Sequence, residues 1–191
     1  VTQEDVFAAI EPILHGIFTE FSDKKVTDAP FPRITYADAM LKYGCDKPDL
    51  RNPIELCDVT DIFKDSGFSI FVKAIEKGSV IRGIPAPQTS DKARSFFDKR
   101  IAYAQEELGA KGLAYIIYDE EGNGKGPIAK FLNEEQHSAL KAQANLKPGD
   151  SIFFACEKEA EAARLAGQVR IHLGEELDLL EKDVFKFCWV V

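Results

Sequence analysis

The region from residue 54 to residue 174 alternates short apolar runs with longer amphipathic segments, and this alternation limits the folds open to the chain. Short apolar runs bounded by Gly or Pro predict strands, whereas apolar residues spaced three and four apart predict helices. The predicted helices cover 60–64, 133–144, 157–172 and a segment capped by Ser90 and stopped by Gly109. The predicted strands cover 54–59, 68–75, 79–84, 113–118, 128–132 and 151–156.

The turn signal at 76–78 joins two of these strands as a hairpin. Strand pairs separated by helices are typical of the α+β class, in which helices lie against an antiparallel sheet. The right-handed crossovers of parallel units fit such hairpins less well. We therefore predict an α+β fold with two layers: a mainly antiparallel sheet and helices on one face.

We interpret the segments before residue 54 and after residue 174 as parts of a different structural unit. Thr2 with Asp5 and Thr35 with Asp38 have the pattern of helix N-caps, and the short helix after Thr35 is predicted to end at Gly44. The predicted organisation is a flanking segment at 1–53, an inserted domain at 54–174 and a return strand at 175–191. The last seven residues, FKFCWVV, are β-forming without a polar tail, so we expect the chain to be a piece of a longer protein.

The amino-acid composition limits the classes of function that the chain can have. The 191 residues include 24 Lys and Arg against 32 Asp and Glu, a formal net charge of −8, which argues against a free-standing binder of nucleic-acid backbone. The four cysteines have no C-x-x-C spacing, so neither a disulfide scaffold nor a zinc site is expected, and a reducing compartment is indicated. No apolar run is long enough for a membrane span.

Several isolated features give only weak support to a catalytic or phosphate-binding site. The glycine-rich segment 120–126 precedes Pro127 and not a helix, so we interpret it as a hairpin turn and not as a phosphate loop. His15, His137 and His172 lie in separate helical segments, and their spacing gives no support to a triad with Cys45. Paired glutamates lie where solvated helix faces are expected, so they give little support to acid–base catalysis by two carboxyl groups.

Two charged clusters remain as candidate sites. Lys92, Arg94, Lys99 and Arg100 follow Ser90 and form a modest basic cluster, either a contact to RNA phosphates or a solvated face balanced by nearby acids. Asp46, Lys47, Asp49 and Arg51 lie in one loop beside Pro48. Such a loop can hold itself by Asp–Arg pairs and Asp-to-backbone bonds, or it can lie beside a polar active site.

Six runs resemble the bacterial-type aspartyl-tRNA synthetases and follow the order of that family along essentially the whole chain. Among them, 31–40 reads FPRITYADAM and 43–51 reads YGCDKPDLR. One departure is Cys45, because the family usually has Ser before Asp-Lys-Pro-Asp. The six runs are 31–40, 43–51, 56–63, 109–116, 126–132 and 185–191.

The resemblance implies a class II synthetase whose bacterial members carry a GAD domain, DCoH-like in fold, between catalytic motifs 2 and 3. Neither motif is found here, so no catalytic residue and no metal ligand is expected, and the piece alone should be inactive. For the whole enzyme the resemblance implies ATP and Mg²⁺ as cofactors, tRNA(Asp) as partner, a homodimer, a cytoplasmic location, and neither membrane nor DNA binding.

Two alternatives to this interpretation remain open. The first is a GAD-type, tRNA-associated binding module of an amidotransferase subunit, which the flanks at 31–51 and 185–191 do not resemble. The second is an independent small hydrolase that uses Cys45 or His137 as a reactive group.

Overall fold

The computed structural model describes all 191 residues and contains seven α-helices, one 3-10 helix and nine short or medium strands. The helices are α1 (Gln3–Glu20), α2 (Tyr36–Tyr43), α3 (Thr60–Lys64), α4 (Ser69–Glu76), α5 (Arg94–Glu106), α6 (Glu134–Gln143) and α7 (Glu159–Glu176), and the 3-10 helix is Ala129–Phe131. The strands are β1 (Lys25–Val26), β2 (Arg33–Ile34), β3 (Cys57–Asp58), β4 (Val80–Ala86), β5 (Ala114–Tyr118), β6 (Gly124–Lys125), β7 (Ser151–Glu157), β8 (Val184–Phe185) and β9 (Trp189–Val190).

Five strands form one antiparallel sheet in the order β3-β4-β7-β5-β6. The long strands β4 and β7 lie side by side at its centre and pair along their whole length, from Val80 opposite Glu157 to Ala86 opposite Ser151. The edge strands β3 and β6 have two residues each. The predicted antiparallel sheet is therefore confirmed.

Side chains alternate across the central strands and build one core on each face of the sheet. Phe153 and Ala155 of β7 join Ile84 of β4 in a core covered by the long helices α5 and α7. Ile152 and Phe154 point the other way, into a core covered by α3, α4, α6 and the 3-10 helix. The predicted α+β class is confirmed, but helices cover both faces of the sheet and not one.

The predicted strand at 68–75 is wrong, because this segment forms helix α4. Phe68, Phe71 and Ile75 are spaced by three and four residues and all pack on the second core, which is the helical pattern. Gly78 has a φ of 79°, and its N–H donates to the Ile75 carbonyl. The segment 76–78 is therefore a helix end and not a hairpin turn.

Two smaller predictions also need correction. The predicted strand at 128–132 is a 3-10 turn, in which the N–H of Leu132 donates to the carbonyl of Ala129. Ser90 does not cap a helix, because α5 begins at Arg94 and has no side-chain cap. The N–H of Ser90 donates instead to the carbonyl of Gly149, in the turn before β7.

The segments before and after the sheet form a second, smaller body. Strand β1 pairs in parallel with β8, and β2 pairs in parallel with β9. Helix α1, capped by Thr2 as predicted, packs on these strands, with the ring centroids of Phe7 and Trp189 4.4 Å apart. Trp189 Nε1 donates to Glu11 Oε1 at 2.7 Å. The two ends of the chain thus share one body, while the domain limits at residues 53 and 174 stay predictions.

None of the seven helices has both the length and the apolar character that a bilayer crossing requires.

Candidate functional site

The residues 44–54, here called the junction loop, begin where helix α2 meets helix α7. Gly44 ends α2 with a left-handed φ of 72°, the predicted end of this helix. A Cβ on Gly44 would lie 2.3 Å from the carbonyl oxygen of Ala163 in α7. A Cβ on Gly167 would lie 3.0 Å from the carbonyl oxygen of Tyr43. Glycine at both positions thus lets the two backbones touch.

Arg170 of helix α7 holds the junction loop by its backbone. Its side chain is 1% exposed, and Nε donates to the carbonyl of Ile54 at 2.6 Å. Nη2 donates to the carbonyls of Asp49 at 3.0 Å and Asn52 at 2.8 Å. Burial lowers the pKa of Arg170, but an arginine stays charged at neutral pH. A buried charge with three carbonyl acceptors makes strong hydrogen bonds, so this contact fixes the loop.

Asn52 completes the contact from the loop side. Its Nδ2 donates to the main-chain carbonyl of Arg170 at 2.9 Å, and its Oδ1 accepts from the N–H of Ile54 at 3.1 Å. The side chain is buried against Gly174, where a Cβ would lie 2.2 Å from Nδ2. The junction loop therefore contacts helix α7 at two successive turns of the helix, at Arg170 and at Gly174.

The four predicted loop residues form two ion pairs inside the junction loop. Lys47 Nζ lies 2.8 Å from Asp46 Oδ2, and Arg51 Nη2 lies 2.7 Å from Asp49 Oδ2. The hydrogen bond from Lys47 lowers the pKa of Asp46, and the one from Arg51 lowers the pKa of Asp49. Asp49 also accepts from the N–H of Arg51. The geometry supports a self-holding loop, and a role beside an active site stays a prediction.

A cleft of about 860 Å³ opens beside the junction loop, at the outer edge of β4. The β3–β4 ladder pairs Cys57 with Gly83 and then stops. The next outward-facing residue of β4 is Pro85, which has no N–H to offer a partner strand. Residues 53–56 therefore diverge from β4, and the N–H of Leu56 donates to Lys42 in helix α2 instead.

The charged side chains around this cleft are mostly paired within the chain. Lys42 Nζ lies 3.6 Å from Glu55 Oε2. Asp150 accepts from the N–H groups of Gln88 at 2.9 Å and Lys147 at 2.8 Å. None of Asp46, Lys47, Asp49 and Arg51 is among the residues that line the cleft. The structure therefore does not bring the predicted loop residues to this opening.

Three of the four predicted basic residues are exposed, and the fourth is not. Lys92 lies in the turn before α5, and Arg94 and Lys99 lie on the helix surface. Arg94 pairs with Asp98, with Nε 3.5 Å from Oδ2, and its side chain stays 87% exposed. These three side chains can reach a phosphate, and their role as tRNA contacts stays a prediction.

Arg100 must be removed from the predicted tRNA contacts. Its side chain is 1% exposed, with Nη1 donating to the carbonyl of Phe96 at 3.0 Å. Nη2 lies 2.6 Å from Glu176 Oε1, and this bond lowers the pKa of Glu176. The guanidinium also lies over the Phe96 ring. Arg100 therefore ties α5 to α7 and has no free face for a phosphate.

Two of the histidines considered for nucleophilic chemistry, His137 and His15, have hydrogen-bond partners within the chain. His137 Nδ1 lies 2.8 Å from the Tyr118 hydroxyl, and its Nε2 lies 3.0 Å from the carbonyl of Ala129. His15 Nδ1 lies 3.2 Å from the carbonyl of Thr27. No three His, Cys, Asp or Glu side chains converge as a group that could hold a metal ion.

The glycine-rich segment is a hairpin turn between β5 and β6, as predicted. Asp119 Oδ1 accepts from the N–H groups of Asn123 at 2.8 Å and Glu121 at 3.2 Å. Lys125 Nζ lies 2.8 Å from Asp119 Oδ2. The hydrogen bond from Lys125, followed by the one from the Asn123 backbone, lowers the pKa of Asp119 to about 2. This carboxylate organises the turn.

Arg170 and Asn52 were not among the predicted residues, although the sequence contains a signal for Arg170. Its neighbours at helical spacing, Ala163, Gly167 and Gly174, are small and buried. A single arginine in such a stripe indicates a buried cation that needs acceptors. Asn52 offers no comparable signal, because its partner is 118 residues away.

The geometry defines a class of protein: an α+β domain whose antiparallel sheet is covered on both faces, with its last long helix anchored to the loop of an adjoining body. A family model described as "GAD domain" matches residues 71–166, which run from within α4 to the first half of α7. The chain belongs to the GAD domain family.

Curated relatives match the whole chain and not only the GAD domain. An "Aspartate--tRNA(Asp/Asn) ligase" of Wolbachia sp. subsp. Drosophila simulans (strain wRi) is 58% identical over 191 residues, all of this chain and 32% of that protein. Ligases with the same name from Rickettsia bellii (strain OSU 85-389) and Rickettsia felis (strain ATCC VR-1525 / URRWXCal2) are 60% and 59% identical over 190 residues. The chain thus spans about a third of the length of these relatives.

Proposed function

We propose that this chain is the GAD-bearing region of an aspartate–tRNA ligase, which attaches aspartate to tRNA with ATP during translation. The observation that carries the proposal is the identity of 58–60% over the complete chain, which includes both flanking segments. A GAD module from an amidotransferase subunit accounts for residues 71–166 but not for this likeness in the flanks.

The tRNA substrates of this proposal are those for aspartate and asparagine. The relatives are named as ligases for tRNA(Asp/Asn), and all three cover the chain from end to end. We assign ATP and Mg²⁺ to the rest of the ligase-length polypeptide, because phosphate activation needs cations held at the reacting centre. The homodimer and the cytoplasmic location belong to the same proposal.

Within the enzyme, the region 54–174 acts as an accessory domain. The flanking segments, 1–53 and 175–191, connect this domain to the catalytic core. The junction loop lies between these parts, and Arg170 anchors it to the GAD domain through three carbonyls. Asp46, Lys47, Asp49 and Arg51 would then present two ion pairs towards the core. Lys92, Arg94 and Lys99 form the exposed basic surface that a tRNA backbone can contact.

Aspartate-dependent exchange between ATP and pyrophosphate tests whether catalysis resides outside the 191-residue chain. We expect the ligase-length polypeptide to catalyse the exchange and the 191-residue chain to show none. Robust exchange by the purified 191-residue chain would overturn its accessory role. A ligase-length polypeptide that charges neither tRNA(Asp) nor tRNA(Asn) with aspartate would overturn the proposed function itself.

Binding of tRNA to the basic surface needs a separate measurement. Titration of tRNA(Asp) into the 15N-labelled chain should shift the amides of Lys92, Arg94 and Lys99, and raised salt should reverse the shifts. The triple variant Lys92→Gln, Arg94→Gln, Lys99→Gln should lose them. The exposed Lys73 on α4 provides the control, because Lys73→Gln should leave the shifts unchanged. A titration with no shifts on α5 removes this contact.

A further inference from the structure

The cleft beside the junction loop has the size of a ligand-binding site. Its volume of about 860 Å³ lies within the range of about 300–1,000 Å³ that is typical of small-molecule sites. Pro85 and Pro87 are half-buried and form an apolar part of its wall. A flat ring can pack on such a surface while a few polar groups hold the edge of the ring.

Two amide side chains from different segments line this cleft. Gln88 follows β4 and Asn145 follows α6, and both have a left-handed φ, 53° and 49°. A non-glycine residue with such a φ is uncommon, and strained residues of this kind concentrate at functional sites. The Asn145 side chain is exposed and makes no hydrogen bond within the chain. Its amide offers a donor beside an acceptor, which matches the paired groups on the edge of a nucleobase.

A lysine close to Asn145 offers positive charge to the same opening. Lys147 lines the cleft, is exposed and forms no ion pair within the chain. The turn that contains both residues is fixed to the end of β4, because Asp150 accepts from the N–H groups of Gln88 and Lys147. The free amide can therefore meet a base while the free ammonium group meets a phosphate.

The exposed basic surface before and on α5 begins near this opening. Lys92 is four residues after Gln88, and the N–H of Lys92 donates to the carbonyl of Thr89 at 3.1 Å. The α-carbons of Gln88 and Lys92 are therefore less than about 14 Å apart, the reach of four extended residues. Proteins bind single-stranded RNA by combining a basic track for the backbone with pockets for unstacked bases. The basic surface and the cleft have the positions that this combination requires.

We propose that the cleft receives an unpaired nucleotide of a bound tRNA, with Asn145 at the edge of its base and Lys147 at its phosphate. The neighbouring backbone of the tRNA then lies on the basic surface of Lys92, Arg94 and Lys99. The inference rests on the proposed function, because it needs the chain to belong to a ligase that binds tRNA. It adds a second contact of a different kind, since a duplex can reach the basic surface but keeps its bases out of the cleft.

NMR titration of the 15N-labelled chain at low salt separates the two contacts. The probes are a short single-stranded oligoadenylate, a blunt RNA duplex and AMP. We expect the single strand to shift the side-chain amide signals of Asn145 and the backbone amide of Gln88 together with α5, and the duplex to shift α5 alone. AMP should shift the cleft signals only at concentrations about tenfold higher, because it lacks the second contact.

Variants of the cleft test the two side chains. Asn145→Gly removes the amide and keeps a residue that accepts a left-handed φ. It should weaken binding of the oligoadenylate by about fivefold, as the loss of one hydrogen bond does, and leave binding of the duplex unchanged. Lys147→Gln should also weaken binding of the oligoadenylate. Gln168→Ala, at an exposed amide on α7, is the matched control and should change neither.

The proposal is wrong if the single strand shifts α5 but leaves Asn145 unmoved, or if neither RNA shifts any signal. Equal affinity for AMP and the oligoadenylate also overturns it, because the cleft would then take a free nucleotide. In the ligase-length polypeptide, Asn145→Gly should raise the KM for tRNA and leave the ATP–pyrophosphate exchange unchanged. A variant that aspartylates tRNA with an unchanged KM refutes this inference and leaves the proposed function intact.

Discussion

Arg170 and Asn52 hold each other through reciprocal contacts to main-chain carbonyls. Asn52 Nδ2 donates to the carbonyl of Arg170 at 2.9 Å, and Arg170 Nη2 donates to the carbonyl of Asn52 at 2.8 Å. The two residues are 118 positions apart. Because both side chains are buried, each leaves unpaired polar groups behind if the other is removed, which makes this pair the most sensitive point of the junction.

Replacement of Arg170 by Met should lower the free energy of unfolding by about 3 kcal/mol, because buried carbonyl oxygens of the junction loop lose their donor. Urea denaturation measures the loss. Arg164→Met is the matched control on the same helix, since Arg164 is about half exposed and pairs with Glu161 at the surface. Its effect should stay below about 1 kcal/mol.

The same Arg170 variant should also loosen the junction loop under conditions where the protein stays folded. Trypsin cleaves after arginine, and the bond between Arg51 and Asn52 is protected while Asn52 is buried. We expect faster cleavage at this bond in Arg170→Met than in the parent chain or in Arg164→Met. Equal cleavage rates in all three would show that the loop holds itself without α7.

Alanine at Gly44 should destabilise the chain far more than alanine at Gly109. Both glycines have a left-handed φ, 72° and 71°, so both substitutions incur a backbone cost of about 1 kcal/mol. Only at Gly44 does the new Cβ meet a neighbour, the carbonyl of Ala163, whereas nothing lies within 4 Å at Gly109. Overpacking adds about 2 kcal/mol at Gly44.

Thermal or urea unfolding of the two glycine variants isolates the contact between α2 and α7. The difference between them is the informative quantity, because the backbone contribution cancels. If both variants lose the same stability, the close approach of Gly44 to α7 is absent in solution.

Neighbouring substitutions in α4 distinguish the observed helix from the predicted strand. Phe71 is 6% exposed and packs on Phe63 and Phe154, so Phe71→Ala should reduce stability by about 3 kcal/mol or more. Ile70 is 67% exposed, and Ile70→Ala should change it by no more than about 0.5 kcal/mol. Denaturant titrations that show the reverse order would be incompatible with this helix orientation.

The pKa of Asp119 should depend on Lys125. The folded-state pKa, about 2, lies below the ordinary aspartate value of about 3.9. Asp119 therefore contributes stability above pH 4 or so, and this contribution is lost as the pH falls from about 4 to about 2. Lys125→Gln removes the largest cause and should raise the pKa of Asp119, measured by 13C NMR titration of the carboxyl group. An unchanged titration would rule out the Lys125 contact as the cause.

The sequence correctly predicted those helices that have a recognisable capping residue at one end. The caps at Thr2 and Thr35 are present, and Gly44 ends α2. The buried strands β5 and β7 were also predicted, because continuous apolar runs of this length are typical of central strands.

The failures have a common physical cause. A short apolar segment such as 68–75 fits a strand and a buried helix almost equally well, and only the neighbours decide. Phe68 and Phe71 pack edge-on at 4.8 Å, a contact between positions three apart that a helix provides and a strand does not. The prediction for Arg100 failed and Arg170 was missed for the same reason, since a long-range partner decides whether a cation is buried.

The contact of Asn52 with Gly174 brings the two ends of the intervening 121-residue segment side by side, with Asn52 Nδ2 beside the α-carbon of that glycine. A segment that leaves a host chain and returns to it at the same point needs only a short bridge when it is excised. The entropy of closing such a bridge is small. We therefore expect a short linker between Asn52 and Gly174 to be able to close the chain when residues 53–173 are excised.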